Sequence, residues 1–303
     1  MTKTAWVFPG QGSQAIGMGV DLLELPFAKV KFEQARQVLG WDVLEICQSQ
    51  DDKVSRTLYT QPCLYVVESI LADLLIERGN IPSLVAGHSL GEYVALYVAR
   101  VFDFDAGLRL VKRRAELMDN AHGGMMTALI GFNREQLEEK IQQIPDVVLA
   151  NDNSPAQVVI SGTPEAVQNL LAQIKVKRAI PLNVSGAFHS PLMAEAATEF
   201  QDVLQSVPFA NALFPVLSNV EPVPTIEATA LKNRLQRQMT GSVRWREISM
   251  QLPLEGIDRV VEIGPGKVLT GLIKRMCPDL VLENISSCAE LPNTQLWGFR
   301  PSA

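Results

Sequence analysis

The sequence is poor in the residues that build metal sites and disulfide frameworks. Its 303 residues include only four cysteines and three histidines, and aromatic residues make up 6%. The cysteines have no metal-type spacing and lie in or beside apolar segments, where a buried free thiol is the ordinary interpretation; they are Cys47, Cys63, Cys277 and Cys288. We therefore expect no metal site and a reducing compartment.

A long hydrophobic run is also missing. No stretch approaches the roughly 18 uninterrupted apolar residues of a transmembrane helix. The first apolar run, Ala5–Phe8, ends at Pro9-Gly10 and is far too short for the core of a signal peptide. We expect no membrane association and, since no targeting segment is visible, a cytoplasmic location.

Positive charge is not in excess. The 27 Lys and Arg residues face 33 Asp and Glu residues, a formal net charge of −6, which argues against a general nucleic-acid binder. A chain of this length is expected to form two domains, or one large domain with an inserted lobe, because single cores stop growing near ~250–300 residues. Residues 293–303 show no periodicity, and we treat them as a tail without a function.

Short strands alternate with helices along most of the chain. Lys3–Phe8 predicts a strand, and a polar, glycine-rich turn follows it. Ser83–Ala86 predicts a second strand, with a helix over Glu92–Ala99 after it. Apolar residues at helical spacing follow Pro62, which predicts a helix that begins at this proline. The alternation favours an α/β fold with a mainly parallel sheet.

A different rhythm begins at residue 123. It runs strand, helix, strand, strand, helix, strand, which is the ferredoxin-like βαββαβ order. The predicted elements are, in chain order, Met125–Gly131, Asn133–Gln143, Val147–Ala150, Gln157–Ser161, Pro164–Ile174 and Ala179–Val184. Because this pattern is self-contained and interrupts the alternation around it, we predict an inserted small subdomain at residues 123–187. The large domain then comprises residues 1–122 and 188–292.

Gly87-His88-Ser89-Leu90-Gly91 matches the G-x-S-x-G motif of a nucleophile elbow. The motif lies between a predicted strand and a predicted helix, where flanking glycines allow the sharp turn that exposes a serine hydroxyl at the carboxyl edge of a sheet. Ser89 is therefore the candidate nucleophile, with an accidental tight turn as the alternative. The backbone N–H of Leu90 would face a developing oxyanion at a helix N-terminus.

A nucleophilic serine needs a base, which is usually a histidine. His88 adjoins Ser89 at a strand end, where successive side chains point to opposite sides, and His122 lies at the predicted crossing into the small subdomain. His189 lies on the return crossing, just before a helix, and is the favoured base. An α/β-hydrolase instead places its histidine near the C-terminus, after an acidic residue, so the order of these residues argues against a hydrolase.

Arg114 breaks the pattern of the helix predicted around Ala106–Asp119. It stands at helical spacing from Leu110, Val111 and Met118, so it shares their apolar face. A buried guanidinium costs several kcal/mol unless it finds an anion. Two interpretations remain open at this point: an ion pair with a buried Asp or Glu, or a bidentate contact with a substrate carboxylate beside the serine.

Seven segments together carry a specific resemblance that covers essentially the whole chain. They are Phe8–Gln14, Thr60–Pro62, Gly87–Glu92, Arg114, Asn153–Gln157, Ala187–Ser190 and Glu262–Leu269. In these segments the chain resembles the malonyl-CoA:acyl carrier protein transacylase family, the discrete acyltransferases of fatty-acid synthesis. The resemblance implies an α/β-hydrolase-like core that carries a ferredoxin-like subdomain, with the active site between them.

The resemblance also implies roles for individual residues. Ser89 takes the malonyl group from coenzyme A, and His189 is its base. The backbone N–H groups of Gln11 and Leu90 form the oxyanion hole, and Arg114 pairs with the malonyl carboxylate. The acyl group then passes to the phosphopantetheine thiol of acyl carrier protein, a ping-pong sequence through a malonyl-serine.

Four further residues receive roles in the same way. A backbone carbonyl, assigned here to Arg244, orients the histidine in place of an acid; members of the family often carry glutamine at this position. Phe188 crowds the place of an α-methyl group, which favours malonyl over methylmalonyl. Gln61 and Asn153 are assigned to substrate binding. The implied partners are coenzyme A thioesters and acyl carrier protein, with no cofactor and with a monomeric enzyme.

Three alternatives share some of these features. A trans-acting acyltransferase of a polyketide synthase has every motif named above. A serine esterase or thioesterase uses the same elbow, although Arg114 and the placement of His189 argue against it. A silent protein that docks to a carrier protein is disfavoured because Ser89, His189 and Arg114 are all present.

Overall fold

The computed structural model describes residues 2–292, so the predicted tail at 293–303 lies outside the described residues. The strands are β1 Thr4–Phe8, β2 Leu84–Gly87, β3 Met125–Phe132, β4 Val147–Ser154, β5 Gln157–Gly162, β6 Val176–Pro181, β7 Val216–Leu217, β8 Arg259–Ile263 and β9 Val281–Ile285. The helices are α1 Pro26–Leu39, α2 Val43–Cys47, α3 Thr57–Glu77, α4 Gly91–Val98, α5 Phe104–Asp119, α6 Arg134–Gln143, α7 Pro164–Gln173, α8 Ala194–Ser206, α9 Ala228–Gln238, α10 Trp245–Leu254 and α11 Val268–Met276. Short 3-10 segments cover Val20–Glu24, Lys53–Ser55, Pro191–Met193 and Cys288–Glu290.

A five-stranded parallel sheet forms the centre of the larger part of the molecule, in the order β7-β2-β1-β8-β9. Alternate residues of β1 serve two different cores: Trp6 and Phe8 pack with α3, α4 and α5, whereas Ala5 and Val7 pack with α10 and α11. A sheet covered on both faces needs apolar residues on both faces of its strands. This is the α/β architecture with a parallel sheet that the alternating elements predict.

The inner strands bring the first turn of the chain to the candidate elbow. Phe8 at the end of β1 is paired with Gly87 at the end of β2. Because parallel strands end at the same edge of a sheet, the turns that follow β1 and β2 lie side by side. Two segments that are far apart in the sequence therefore meet at one point.

The second sheet is antiparallel, in the order β4-β5-β3-β6, and its elements follow the predicted order strand, helix, strand, strand, helix, strand. It has its own hydrophobic core, which includes Leu129, Val158 and Leu170. Its last strand differs from the prediction, since β6 covers Val176–Pro181 and the expected strand was Ala179–Val184. The register with β3 decides this position, because Phe132 pairs with Val176 at one end.

Residues 241–246 connect the two sheets. Val243 accepts a hydrogen bond from the backbone N–H of Asp152 at 2.9 Å and donates one to the carbonyl oxygen of Ala150 at 2.8 Å. The Nε of Arg246 lies 2.8 Å from a carboxylate oxygen of Asp152. The edge strand β4 thus gains a partner from the part of the chain that carries the parallel sheet.

The prediction that a helix begins at Pro62 is wrong, because α3 begins five residues earlier, at Thr57. A proline inside a helix removes one backbone hydrogen bond. Here almost the whole helix is buried, including Thr60 and Gln61, so packing outweighs that loss. Within residues 2–292, every helix is too short or too polar to cross a bilayer.

Candidate active site

The turn between β2 and α4 has the geometry of a nucleophile elbow. Ser89 has a φ of 51°, in the left-handed region that L-residues rarely adopt. A Cβ atom at Gly87 would lie 1.9 Å from the carbonyl carbon of Gly91, and a Cβ at Gly91 would lie 2.0 Å from the carbonyl oxygen of Phe8. Only glycine fits at these two positions, which is the reason that the motif requires both.

The hydroxyl of Ser89 lies 2.8 Å from Nε2 of His189, so the structure brings the predicted nucleophile and base together. Nδ1 of the same ring lies 2.9 Å from the carbonyl oxygen of Gln238 and 3.2 Å from that of Gly241. Because Nδ1 faces two acceptors, it carries the ring proton. The lone pair of Nε2 is then directed at the serine hydroxyl.

The prediction that Arg244 supplies the orienting carbonyl is wrong. The carbonyl oxygen of Arg244 accepts from the backbone N–H of Ile248 at 3.0 Å, and its guanidinium pairs with Glu247 at 2.6 Å. The acceptor is supplied by the C-terminal end of α9, since the last carbonyl groups of a helix have no partner inside the helix. Gln238 is the final residue of α9, and its carbonyl oxygen is free to accept from the imidazole.

Arg114 is 1% exposed and points into the same site. Its Nη1 donates to Oε1 of Gln61 at 2.5 Å, and its Nη2 donates to Oγ of Ser89 at 3.0 Å and to Oε1 of Gln238 at 3.2 Å. The guanidinium carbon lies 5.4 Å from the ring centroid of Tyr93. Every hydrogen-bond acceptor around the cation is a neutral group.

Among residues 2–292, no carboxylate forms an ion pair with Arg114. The carboxylate of Glu92 is reached only through Gln238, whose Nε2 donates to Glu92 Oε2 at 2.8 Å. Of the two interpretations left open by the sequence, the structure therefore does not contain the buried ion pair. A desolvated guanidinium held by neutral amides is suited to bind a carboxylate ligand.

Burial and charge together set the protonation state of the site. Burial, reinforced by the positive charge of Arg114, lowers the pKa of His189 to about 3. The imidazole is thus neutral near pH 7 and able to accept a proton. Burial also lowers the pKa of Arg114 and raises that of Glu92.

The turn that contains Gln11 packs directly on the elbow. A Cβ atom at Gly10 would lie 2.4 Å from the carbonyl oxygen of His88 and 3.6 Å from the backbone nitrogen of Leu90. In the part of the chain that the structure describes, the backbone N–H groups of Gln11 and Leu90 have no hydrogen-bond acceptor. Two free donors beside a serine hydroxyl are the arrangement that an oxyanion hole needs.

The other three residues predicted to bind substrate, Gln61, Phe188 and Asn153, lie near the Ser89–His189 pair and make different contacts. Gln61 holds the guanidinium of Arg114, and Phe188 is buried next to the base. Oδ1 of Asn153 accepts a hydrogen bond from Nε2 of His88 at 2.8 Å, and within residues 2–292 Asn153 has no hydrogen bond to Ser89, His189 or Arg114. It therefore connects β4 to the residue before the nucleophile.

The sequence analysis missed two residues at the centre of the site, Asn219 and Gln238. Both are fully buried and lie far along the chain from the motif. The sequence signal of each is weak: Asn219 is a polar residue just after a short apolar strand, and Gln238 is a polar residue at the end of a helix. Glu92 carries a clearer signal, because a carboxylate directly after the elbow falls in the first turn of a helix.

Comparison with known proteins agrees with this geometry. Residues 5–296 match the family model described as the acyl transferase domain. The chain belongs to this acyltransferase family. It is 57% identical over 289 residues to the malonyl CoA-acyl carrier protein transacylase of Synechocystis sp., an alignment that covers 95% of this chain and 99% of the relative. The crystal structure of that transacylase superposes with a TM-score of 0.94 over the same shares of both chains.

Two other relatives of this acyltransferase come from polyketide biosynthesis. The malonyl CoA-acyl carrier protein transacylase PksC of Bacillus subtilis is 40% identical over 283 residues, which cover 90% of this chain and 97% of the relative. A malonyl-transacylase solved in complex with its type II polyketide acyl-carrier protein is 38% identical, with a TM-score of 0.90, and the match covers 96% of this chain and 98% of that one.

Proposed function

We propose that this acyltransferase moves the malonyl group of malonyl-CoA to the phosphopantetheine thiol of acyl carrier protein. The observation that carries the proposal is the contact between Arg114 and Ser89. A buried guanidinium without a carboxylate partner lies 3.0 Å from the serine hydroxyl. An acyl group that ends in a carboxylate a few bonds from its thioester carbonyl can reach both groups at once.

In the first half-reaction, Oγ of Ser89 attacks the thioester carbonyl while its proton moves to Nε2 of His189. The carbonyl oxygen becomes an oxyanion, which the N–H groups of Gln11 and Leu90 stabilise. The C–S bond then breaks, and the coenzyme A sulfur takes the proton from His189. A malonyl ester of Ser89 and free coenzyme A are the products.

The second half-reaction runs through the same groups in reverse. The carrier thiol gives its proton to His189 and attacks the ester carbonyl, and the C–O bond breaks as Ser89 recovers the proton. The carbonyl groups of Gln238 and Gly241 hold the ring throughout, because Nδ1 keeps its proton in both steps. One proton leaves with the coenzyme A thiol and one arrives with the carrier thiol, so the enzyme ends with the protons that it began with, and the mechanism needs no cofactor beyond the two substrates.

The finer features of the enzyme follow from the same proposal. Phe188, buried beside the base, would exclude the α-methyl group of methylmalonyl-CoA. The topology of the two sheets supports an α/β-hydrolase-like core at residues 1–122 and 188–292 with a ferredoxin-like subdomain at 123–187. We further propose a monomeric, cytoplasmic enzyme that supplies malonyl-carrier protein for fatty-acid synthesis.

A polyketide carrier protein is the second candidate acceptor. The identity of 40% to a polyketide-biosynthesis transacylase supports it, although the higher identity of 57% is to a transacylase without that designation. Transfer rates to a fatty-acid carrier and to a polyketide carrier, measured with the same malonyl-enzyme, separate the two. A higher rate to the polyketide carrier would favour the alternative.

The direct test of the chemistry is the intact mass of the protein after brief incubation with malonyl-CoA, acetyl-CoA or methylmalonyl-CoA. We expect a malonyl adduct on the wild type, little adduct from the other two thioesters, and none on Ser89→Ala. Release of free malonate without carrier protein would identify a hydrolase. If the wild type forms no adduct and shows no turnover, the remaining interpretation is a catalytically silent protein that docks to a carrier protein.

A further inference from the structure

The backbone of the nucleophile is held in an uncommon conformation. Ser89 adopts a φ of 51° without being glycine, and such conformations persist only where the surroundings enforce them. The carbonyl oxygen of Ser89 accepts from the backbone N–H of Glu92 in α4 at 3.2 Å, but its backbone N–H has no acceptor in β2 or α4. The acceptor for that N–H must therefore come from another element.

The side chain of Asn219 binds the elbow backbone at the strained residue and at the last residue of β2. Its Oδ1 accepts from the backbone N–H of Ser89 at 2.7 Å, and its Nδ2 donates to the carbonyl oxygen of Gly87 at 2.6 Å. One planar amide thus joins the last residue of β2 to the nucleophile. Both hydrogen bonds are short for N–H···O contacts, and Asn219 is 0% exposed.

Asn219 is itself held in place from two directions. Its backbone N–H donates to Oε2 of Glu92 at 3.1 Å, and its carbonyl oxygen accepts from the backbone N–H of Arg244 at 3.0 Å. Gln238 completes the arrangement, since its Nε2 donates to the carbonyl oxygen of Ser89 at 2.8 Å. The N–H and the C=O of Ser89 are both occupied, and the next N–H, that of Leu90, is the donor left for the oxyanion.

We propose that Asn219 is a positioning residue that holds Ser89 in its left-handed conformation. In this role it aims the hydroxyl of Ser89 at His189 and keeps the N–H of Leu90 directed at the reaction centre. The inference rests on the proposed function, because it takes Ser89 as the nucleophile. It assigns to Asn219 no contact with the substrate.

The test compares Asn219→Ala with the wild type in a single-turnover reaction with malonyl-CoA. The rate of malonyl-serine formation should fall by about 100-fold, since a misplacement of roughly 1 Å has effects of this size. The affinity for malonyl-CoA should change by less than about threefold, because neither Arg114 nor Gln61, which holds its guanidinium, has a hydrogen bond to Asn219. A loss confined to the acylation rate distinguishes positioning from substrate binding.

Asn284→Ala is the matched control for stability. Asn284 is a half-buried amide in β9, at the far edge of the same sheet, and its Nδ2 donates to Oε2 of Glu262 at 2.9 Å. Its removal should lower the melting temperature and leave the acylation rate unchanged. An equal loss of acylation rate in both variants would attribute the effect to instability and overturn the proposal.

Asn219→Asp supplies a second readout that does not depend on the alanine variant being folded. A protonated carboxyl group accepts from Ser89 and donates to the carbonyl oxygen of Gly87, as the amide does, whereas a carboxylate donates nothing. Two charged groups lie near the new carboxyl group. Glu92 opposes its ionisation, and Arg114, which is connected to it through Gln238, favours its ionisation. We expect the acylation rate of this variant to fall as the pH rises from 5 to 8, whereas the rate of the wild type stays constant over the same range. Folding of the variant is checked at each pH.

The outcomes separate this inference from the proposed function. No malonyl adduct on wild-type Ser89 would refute the function. A wild type that acylates, together with an Asn219→Ala variant of equal rate or an Asn219→Asp variant without pH dependence, would overturn the positioning role alone.

Discussion

The guanidinium of Arg114 donates a hydrogen bond to the hydroxyl oxygen of Ser89 at 3.0 Å. The proposed carboxylate-binding cation and the proposed nucleophile are therefore in direct contact before substrate binds. A substrate carboxylate must take over this guanidinium donor, which releases the hydroxyl for attack. The short distance also limits the spacing between the carboxylate and the reacting carbonyl, and a single methylene group, as in malonate, meets that limit.

Arg114→Ala should remove the preference for malonyl-CoA. We expect the acylation rate with malonyl-CoA to fall by about 100- to 1000-fold, or about 3–4 kcal/mol, because the substrate carboxylate would be buried without a partner. Acylation by acetyl-CoA, which has no carboxylate, should change by less than about tenfold. Quenched-flow mass spectrometry with both thioesters measures the ratio.

Arg113→Ala is the control for this experiment. The neighbouring arginine on the same helix lies toward solvent and pairs with Glu116 and Glu199, and surface pairs of this kind contribute little. The ratio of malonyl to acetyl transfer should stay at the wild-type value. A parallel loss of both activities in Arg114→Ala would contradict a role in recognising the carboxylate.

The acylation rate should be nearly independent of pH between 8 and 5. A histidine is a base only when neutral, and the pKa of His189 is lowered to about 3, from an ordinary value near 6.5. The neutral fraction is therefore already close to one at pH 5 and falls only near pH 3. A rate that drops to half near pH 6.5 would show that the histidine has an ordinary pKa.

Removing the positive charge of Arg114 should raise the pKa of His189. In Arg114→Gln the desolvation of His189 persists, but the repulsion between guanidinium and imidazolium is gone. Titration of the three histidines by NMR, with His189→Gln to assign the signal, measures the change. An unaltered or lower pKa in the variant would contradict the electrostatic contribution of Arg114.

Gly241→Ala should weaken the support of His189, the proposed base. An added Cβ would lie 2.8 Å from the carbonyl oxygen of Arg237 and 2.7 Å from Cγ1 of Val220, so the backbone at residue 241, whose carbonyl oxygen faces Nδ1 of His189, must shift. We expect kcat to fall by about tenfold with little change in KM.

Gly271→Ala provides the comparison, because a Cβ at this helical position meets no atom within 4 Å. It should raise the stability by about 0.5–1 kcal/mol through the smaller entropy of the unfolded chain. Thermal melts and steady-state kinetics on both variants check the pair. Equal kcat values for Gly241→Ala and the wild type would show that the carbonyl of Gln238 is sufficient.

Asn153→Ala should affect stability more than substrate affinity. Its partner is Nε2 of His88, at 2.8 Å, and loss of the amide leaves a desolvated ring nitrogen without a protein partner, at a cost of about 1–2 kcal/mol. We expect a lower melting temperature with a KM for malonyl-CoA within about threefold of the wild type. A higher KM at an unchanged melting temperature would instead support the substrate contact that the resemblance implies.

The candidate nucleophile and the candidate base could be predicted from the sequence because their signals are local or scarce. Ser89 lies in a five-residue motif whose glycines are required by the turn itself, and His189 was one of only three histidines. Arg114 could be placed on an apolar helix face from its spacing alone. The carbonyl that orients His189 could not be identified in this way, because it depends on where α9 ends in space.

The fold, like the site, could be predicted from the sequence only in part. Alternating strands and helices were enough to predict a parallel sheet, whereas the edge strand β9 and the position of β6 were missed or shifted. The pairing of β6 with β3 and of β9 with β8 sets those positions. Local preference is weakest at sheet edges, where the pairing partner decides the register.

By itself, the sequence determined the elbow, the candidate base and the buried cation, because each follows from backbone sterics, from composition or from helical periodicity. Only the tertiary structure decided that Asn219 and Gln238 occupy the backbone groups of Ser89, and that Arg114 has neutral partners. The contacts of Ser89 with Asn219 and Gln238 join residues more than 100 positions apart, and hydrogen bonds over such separations exist only once the core has packed and burial has removed the competing water.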